Sequence, residues 1–394
     1  MSVRIILFTG KGGVGKTTSA AGTAALAARS GRRTLVLSTD AAHSLGDAFG
    51  VDLGREPVEV APSLWVHQAD AQRRFERSWN EIQGYLRSVL DAAGVDAITA
   101  DELTVVPGAE EVLALMQLRE HVDSGSWDVV VVDCGPTAET LRLLALPEAL
   151  SWYMTRLFGV QRRMVRALRP VLSRAAGIPM PEDSVFAAIE ALHQDLERVQ
   201  QMLTEKDATV RLVLTPESVV VAEARRSLTT LSLYGYRVDG VIANRVFPRG
   251  GEDPWRDGWV AAQQSVLAEV RHSFADLPVW LSEYRPGEPM GLSELEAVAV
   301  AAYDGSDPLA LPANEGPMTI VRTSGGATLR IALPFAKKQD VELARHGDEL
   351  VVTVGSYRRL LSLPAALSRH TVVAARVEDG SLQVRFRFEQ EEQP

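Results

Sequence analysis

Gly10-Lys11-Gly12-Gly13-Val14-Gly15-Lys16-Thr17 follows the apolar run Val3 to Phe8 and precedes an alanine-rich stretch, Lys16 to Ser30, with helical character. The octet fits the pattern G-x-x-x-x-G-K-T, and a strand before it with a helix after it is the context that gives this pattern meaning. Glycines let successive backbone N–H groups close around phosphate oxygens, and the start of the helix adds its positive dipole end. In that reading Gly10, Lys11, Gly12, Gly13, Val14, Gly15, Lys16, Thr17 and Thr18 form the cradle. Lys16 reaches the outer phosphates and the Thr17 hydroxyl ligates Mg²⁺, so ATP and Mg²⁺ are the expected cofactors. The chain has five lysines, and two of them lie in this octet.

Working outward, short apolar runs recur at Thr34 to Ser38, Leu64 to Gln68, Asp128 to Asp133, Val210 to Thr215, Val238 to Asn244 and Leu277 to Leu281. Most are continuous rather than alternating, as strands covered on both faces should be. Helical patterns between them, such as Ser218 to Leu233, predict an α/β fold: a doubly wound, mostly parallel sheet. Two long stretches, about 71–125 and 146–206, break the rhythm and predict an α-helical subdomain mounted on it.

After a segment rich in Gly, Pro, Asp and Asn the period changes to two. Leu329, Ile331 and Leu333 fall on one face of the run Thr328 to Leu333. Similar runs at Leu350 to Val354, Leu360 to Leu363, Thr371 to Val377 and Leu382 to Phe388 predict an all-β sandwich of about seven strands. The expected organisation is 1–304 for the ATPase domain with its helical subdomain, 305–316 for a linker and 317–390 for the sandwich.

Composition bounds the rest. The 394 residues are 46% hydrophobic, with a net charge of -10. That acidic balance argues against a general nucleic-acid binder, whose affinity comes from clustered Lys and Arg. One cysteine, Cys134, excludes an intrachain disulfide and a Cys-rich metal site, and fits a reducing compartment. No run approaches the roughly 20 apolar residues of a membrane span. The first apolar run begins almost at Met1, so the expected location is cytoplasmic.

Two carboxylates complete the candidate site. Asp133 ends the Val129 to Val132 strand, where a carboxylate can serve Mg²⁺ through a water or can act as a turn residue. Asp40 ends the second strand at the same sheet edge, where it can orient an attacking water or cap a helix.

Together Gly10 to Thr18, Ser38 to Phe49 (STDAAHSLGDAF) and Asp133 to Leu144 (DCGPTAETLRLL) resemble the arsenite-pump and tail-anchored-protein-targeting ATPase family. Thr215-Pro216-Glu217, Leu233-Tyr234-Gly235 and Val241 to Arg245 extend the likeness, which covers about Val3 to Ala302 in the family's order. The resemblance implies a deviant phosphate loop whose Lys11 reaches across a homodimer to the partner's nucleotide, so Lys11, Lys16 and Asp40 would be catalytic. It implies that Asn244 hydrogen-bonds the adenine, that Glu217 lies near the nucleotide and that Pro278 to Arg285 form the loop over the base. Asn244 as a strand cap, Glu217 as a helix start and Pro278 as plain connection stay open as alternatives.

The chain departs from the family at several points. It lacks the C-x-x-C pair that shares a zinc between subunits, so no zinc is expected, and it lacks the several cysteines that hold a metalloid. It has Ala41 where Pro is common and Ala138-Glu139 where Gly-His is common. The tail resembles the α-crystallin domain of small heat-shock proteins, Asp379-Gly380-Ser381-Leu382 being similar to its Gly-x-Leu element. An apolar and arginine-rich stretch, Leu150 to Ile178, could form an amphipathic helix that cradles a transmembrane segment, or could pack as core.

The expectation from all of this is an ATPase that binds, targets or chaperones hydrophobic membrane-protein segments, with a membrane receptor compatible as a further partner and no nucleic acid. The rivals are the ATPase subunit of an arsenite or antimonite efflux pump and a nucleotide-switched scaffold.

Overall fold

The computed structural model describes residues 2–40, 44–69, 109–137, 183–250, 253–313, 316–323, 325–368 and 370–388, with single positions between 84 and 91 and at 140, 141 and 145. The chain divides into two compact units: 1–68, 124–141 and 203–394 form the first, and 69–123 with 142–202 form the second.

The first unit is built on an eight-stranded sheet. Its strands are β1 (Arg4–Thr9), β2 (Thr34–Ser38), β3 (Val58–Ala61), β4 (Leu64–Gln68), β5 (Val129–Asp133), β6 (Ala208–Leu214), β7 (Val238–Val246) and β8 (Val279–Glu283). They lie in the order β3-β4-β2-β5-β1-β6-β7-β8. Every neighbouring pair is parallel except β3 with β4. The continuous apolar runs are buried throughout β1, β2, β5 and β6, which is the signature of strands covered on both faces. Sequence periodicity missed β3, because a four-residue, half-buried edge strand carries almost no pattern. The final strand begins two residues later than expected, since Leu277 and Pro278 precede it.

Helices α1 (Lys16–Arg29), α2 (Ser44–Phe49), α5 (Ser218–Leu233), α6 (Pro254–Ser273) and α7 (Leu292–Tyr303) accompany the sheet; α3 (Ala109–Asp123) and most of α4 (Asp183–Thr204) belong to the second unit. Small residues make α1 a close neighbour of α7. A Cβ on Gly22 would lie 2.5 Å from the Leu295 carbonyl oxygen and 2.9 Å from the Ala299 Cβ. Beneath the sheet, Arg211 is fully buried and pairs with both carboxylate oxygens of Asp239, at 3.0 and 2.8 Å. Arg4 joins the same carboxylate at 2.9 Å. Arg211 also donates to the Pro308 carbonyl and Arg4 to the Leu309 carbonyl, which holds the segment that leads to the C-terminal strands.

Those strands form two antiparallel sheets. β9 (Met318–Thr323), β10 (Gly326–Ala332), β14 (Thr371–Glu378) and β15 (Ser381–Arg387) pair in the order β14-β15-β10-β9; β11 (Val341–His346), β12 (Glu349–Val354) and β13 (Tyr357–Ser362) make the other. A single turn of helix, α8 (Ala365–Ser368), precedes β14. Leu329, Ile331 and Leu333 point into the core between the sheets, and Leu382 and Val384 of β15 join them. Asp379 and Gly380 both have positive φ in the turn between β14 and β15, a backbone that glycine adopts without strain.

This β domain docks on the end of α5. Leu233 is buried in the β domain's core, Tyr234 donates its hydroxyl to the Arg358 carbonyl at 3.2 Å, and Arg359 donates to the Leu233 carbonyl. Thr229 donates to the Pro334 carbonyl, and Phe274 meets Phe335 edge to face at 6.1 Å.

In the second unit Arg119 of α3 pairs with Asp195 of α4. The stretch Leu150 to Ile178 lies outside the described residues, as does most of 71–108.

Candidate functional site

In this sheet the chain turns to one side of β1 through β5 and to the other through β6, so β1 lies at the switch point where ligands bind beyond the carboxyl ends of the strands. The loop from Gly10 to Gly15 leaves β1 there. Gly10 has no room for a side chain: a Cβ would fall 2.1 Å from the Val213 carbonyl oxygen. Gly13 and Gly15 have φ of 78° and 95°, the left-handed region that disfavours any Cβ. At Gly15 a Cβ would also meet the Asn244 amide nitrogen at 2.2 Å. The glycines therefore serve the loop's shape and its close neighbours, and the helix α1 starts directly behind them.

Four candidates converge. Thr17 donates its hydroxyl to Asp133 at 2.8 Å and lies 3.2 Å from the Ser44 hydroxyl. Lys16 is buried, with its ammonium 3.5 Å from the Lys11 carbonyl at the mouth of the loop. Asn244 donates its amide to the Val14 carbonyl at 2.8 Å. Lys11 itself is exposed.

Burial pushes the Asp133 carboxyl up to about 7; the Thr17 hydrogen bond and the Lys16 charge pull it down, and Asp40 adds to the push. Its second oxygen is buried and takes no hydrogen bond among the described residues, and the same holds for the Thr9 hydroxyl. A buried carboxylate with one unpartnered oxygen, its other oxygen bonded to the threonine hydroxyl of the loop, suits a hard divalent cation. Among the described residues no group of three His, Cys, Asp or Glu could form an all-protein cage, so such a cation would depend on phosphate oxygens and water for its remaining ligands. Thr17 and Asp133 thus fit Mg²⁺, which would supply charge neutralisation there.

Asp40 is the last described residue before 41–43, and Ala41 and His43 lie outside the description. Its amide donates to the Ser38 hydroxyl at 3.2 Å, and its carbonyl accepts the Gln68 side-chain amide at 2.8 Å. The neighbouring Thr39 amide donates to the Asp133 carbonyl at 2.9 Å. Gln68 escaped the sequence reading, although a polar residue ending β4 at the same sheet edge was the available signal.

Glu217 immediately precedes α5 without a side-chain cap and accepts the Thr215 hydroxyl at 3.1 Å. A cavity of about 400 Å³ opens beside the loop, lined by Gly15, Thr18, Asn244, Arg245 and the 282–289 segment. That volume lies within the range of small-ligand pockets. Pro278 is not part of it: its carbonyl accepts Val241 at the opposite end of the neighbouring strands. The lining begins at Ser282, because β8 carries the chain across the sheet before it reaches the nucleotide edge. Ala138 and Glu139 lie outside the described residues. Cys134 is fully buried, and desolvation pushes its thiol up to about 12.

The model of a family described as "Anion-transporting ATPase" matches residues 3–304, and that of an "HSP20-like domain found in ArsA" matches 324–386. The chain is 36% identical over 397 residues to a "Putative arsenical pump-driving ATPase" of Chlorobaculum tepidum, covering 99% of this chain and 98% of that one. It is 32% identical over 387 residues to a "Putative arsenical pump-driving ATPase 1" of Aquifex aeolicus, covering 95% and 98%. An "ATPase ASNA1 homolog" of Trypanosoma cruzi is 28% identical over 321 residues, covering 75% of this chain and 89% of its own.

Proposed function

This chain belongs to the anion-transporting ATPase family, and from that membership we propose a Mg²⁺-dependent homodimeric ATPase that couples its nucleotide cycle to the handling of hydrophobic membrane-protein segments. The observation that carries the chemistry is the Thr17–Asp133 hydrogen bond, with the second Asp133 oxygen buried and unpartnered among the described residues. It ties the phosphate loop to the strand end where a cation would be held. Lys16 supplies charge at the loop mouth, Asn244 and the 282–289 segment enclose the base, and Asp40, held by Ser38 and Gln68, orients water for attack. The exposed Lys11 is free to serve the nucleotide of a second copy.

Polypeptide handling is supported by the HSP20-like domain and by its docking against α5, the helix that begins at Glu217. The relatives named as arsenical pump ATPases favour metalloid efflux as a second reading. A metalloid site needs accessible thiolates, and this chain has one cysteine, buried, with its thiol pushed up to about 12.

Lys16→Ala is expected to lose ATP binding, and Asp40→Asn to bind ATP yet turn over at least about a hundredfold more slowly. Co-expression of Asp40→Asn with a tagged single-span tail-anchored protein should yield a soluble complex that requires both ATP and the apolar segment. Arsenite-stimulated turnover with no such complex would decide for the efflux reading.

A further inference from the structure

Among the described residues twelve large apolar side chains are exposed, and five of them, Val219, Trp255, Trp259, Tyr284 and Met290, lie on segments at the nucleotide edge of the sheet. Trp255 is 67% exposed and Trp259 47%. They are four residues apart near the start of α6, so they share one face of the helix, and their rings meet edge to face at 6.1 Å. Trp259 in turn lies 6.2 Å from Phe247, and Phe247 stacks on Tyr284 at 5.4 Å. Tyr284 lines the nucleotide cavity. A continuous row of rings therefore runs from the wall of the cavity out to solvent.

The row is fixed in place. Gln263 accepts the Phe247 amide at 2.7 Å and donates to the Arg245 carbonyl at 3.1 Å. Arg245, which also lines the cavity, has a φ of 58°, a conformation that a non-glycine residue holds only when its surroundings impose it.

We infer that the Trp255–Trp259 face is a contact surface for a second copy of this chain, joined to the nucleotide-face dimer and set by the occupied cavity. The inference rests on the homodimer proposed above. Four observations select that occupant. The patch is continuous with the nucleotide cavity and shares its edge with the exposed Lys11. A two-fold interface must be self-complementary, and an apolar aromatic face is, while the exposed Arg245, Arg249, Asp253 and Asp257 around it carry both signs and can pair crosswise. Tryptophan is the residue most enriched where interface energy concentrates. Locked rings suit one fixed partner, whereas a variable apolar client calls for adaptable side chains.

The test is sedimentation of the full chain with Mg²⁺ and the non-hydrolysable analogue AMP-PNP, over a range of protein concentrations. Trp255→Ser with Trp259→Ser should raise the concentration for half-dimerisation on the order of tenfold or more. Its thermal midpoint and its analogue affinity below the dimerisation range should be unchanged. Trp255→Phe with Trp259→Phe should restore most of the association. Dimerisation of the serine variant at the wild-type concentration would overturn the inference and leave the nucleotide-face dimer standing. A wild-type protein that stays monomeric with the analogue would remove that dimer and this inference together. Unchanged dimerisation with loss of client recovery would reassign the patch to the client and overturn the inference.

Discussion

At the scale of single residues, Asp133 carries the most specific consequence. A carboxyl held up at about 7 in the fold, against about 3.8 in the open chain, favours the folded state while it is protonated. That contribution is present below about pH 4 and is lost as the pH rises through 7, so the ligand-free protein gives up stability across this window. Asp133→Asn should flatten the window and raise the thermal midpoint near pH 8, as differential scanning fluorimetry without nucleotide can read. The same variant should lose the added stability that Mg·ATP confers on the wild type, since it cannot offer an anionic ligand. Cys134, fully buried beside it, should resist iodoacetamide near pH 8 in the folded protein and react on unfolding, as mass spectrometry of native and denatured samples would show.

At the scale of elements, α1 and α5 transmit most of the architecture. The close approach of α1 to α7 depends on Gly22 having no side chain. Gly22→Val should cost about 3 kcal/mol or more through overpacking against backbone that cannot yield, read as a lowered midpoint in denaturant. α5 runs from Glu217 at the nucleotide edge to Leu233 in the core of the β domain, a rod of roughly 24 Å at 1.5 Å per residue. Leu233→Ala should cost about 2–4 kcal/mol. Its distinguishing readout is earlier proteolysis between 305 and 316, because the lost contact belongs to the β domain's docking as well as to the helix.

For the whole molecule, the ATPase domain and the β domain are joined by a buried polar clasp rather than by linker length alone. Arg359 is 5% exposed and donates to the Leu233 carbonyl at the end of α5, where the helix dipole is negative. Removing a buried guanidinium leaves that carbonyl without its donor and opens a cavity, at a cost of about 2–3 kcal/mol. Arg359→Ala should therefore turn a single thermal unfolding transition into two, with the β domain melting first in hydrogen-exchange measurements and the phosphate-loop amides remaining protected by ATP.

How much the sequence determined follows from the range of the physics involved. The phosphate loop, the β1 and β5 strands and the alternation of Leu329, Ile331 and Leu333 were legible, because φ > 0 glycines, double-sided burial and period-two patterning are local demands on adjacent residues. Thr17 could be named from the phosphate-loop pattern and Asp133 from its strand end. That they bond each other across 116 residues, that Gln68 holds Asp40, that Pro278 sits away from the cavity and that Arg359 clasps α5 were decided only when the sheet order brought distant strand ends together. Tertiary structure alone also raised the Asp133 carboxyl and lined up Tyr284, Phe247, Trp259 and Trp255, since burial and ring contact are properties of neighbours in space that no spacing along the chain encodes.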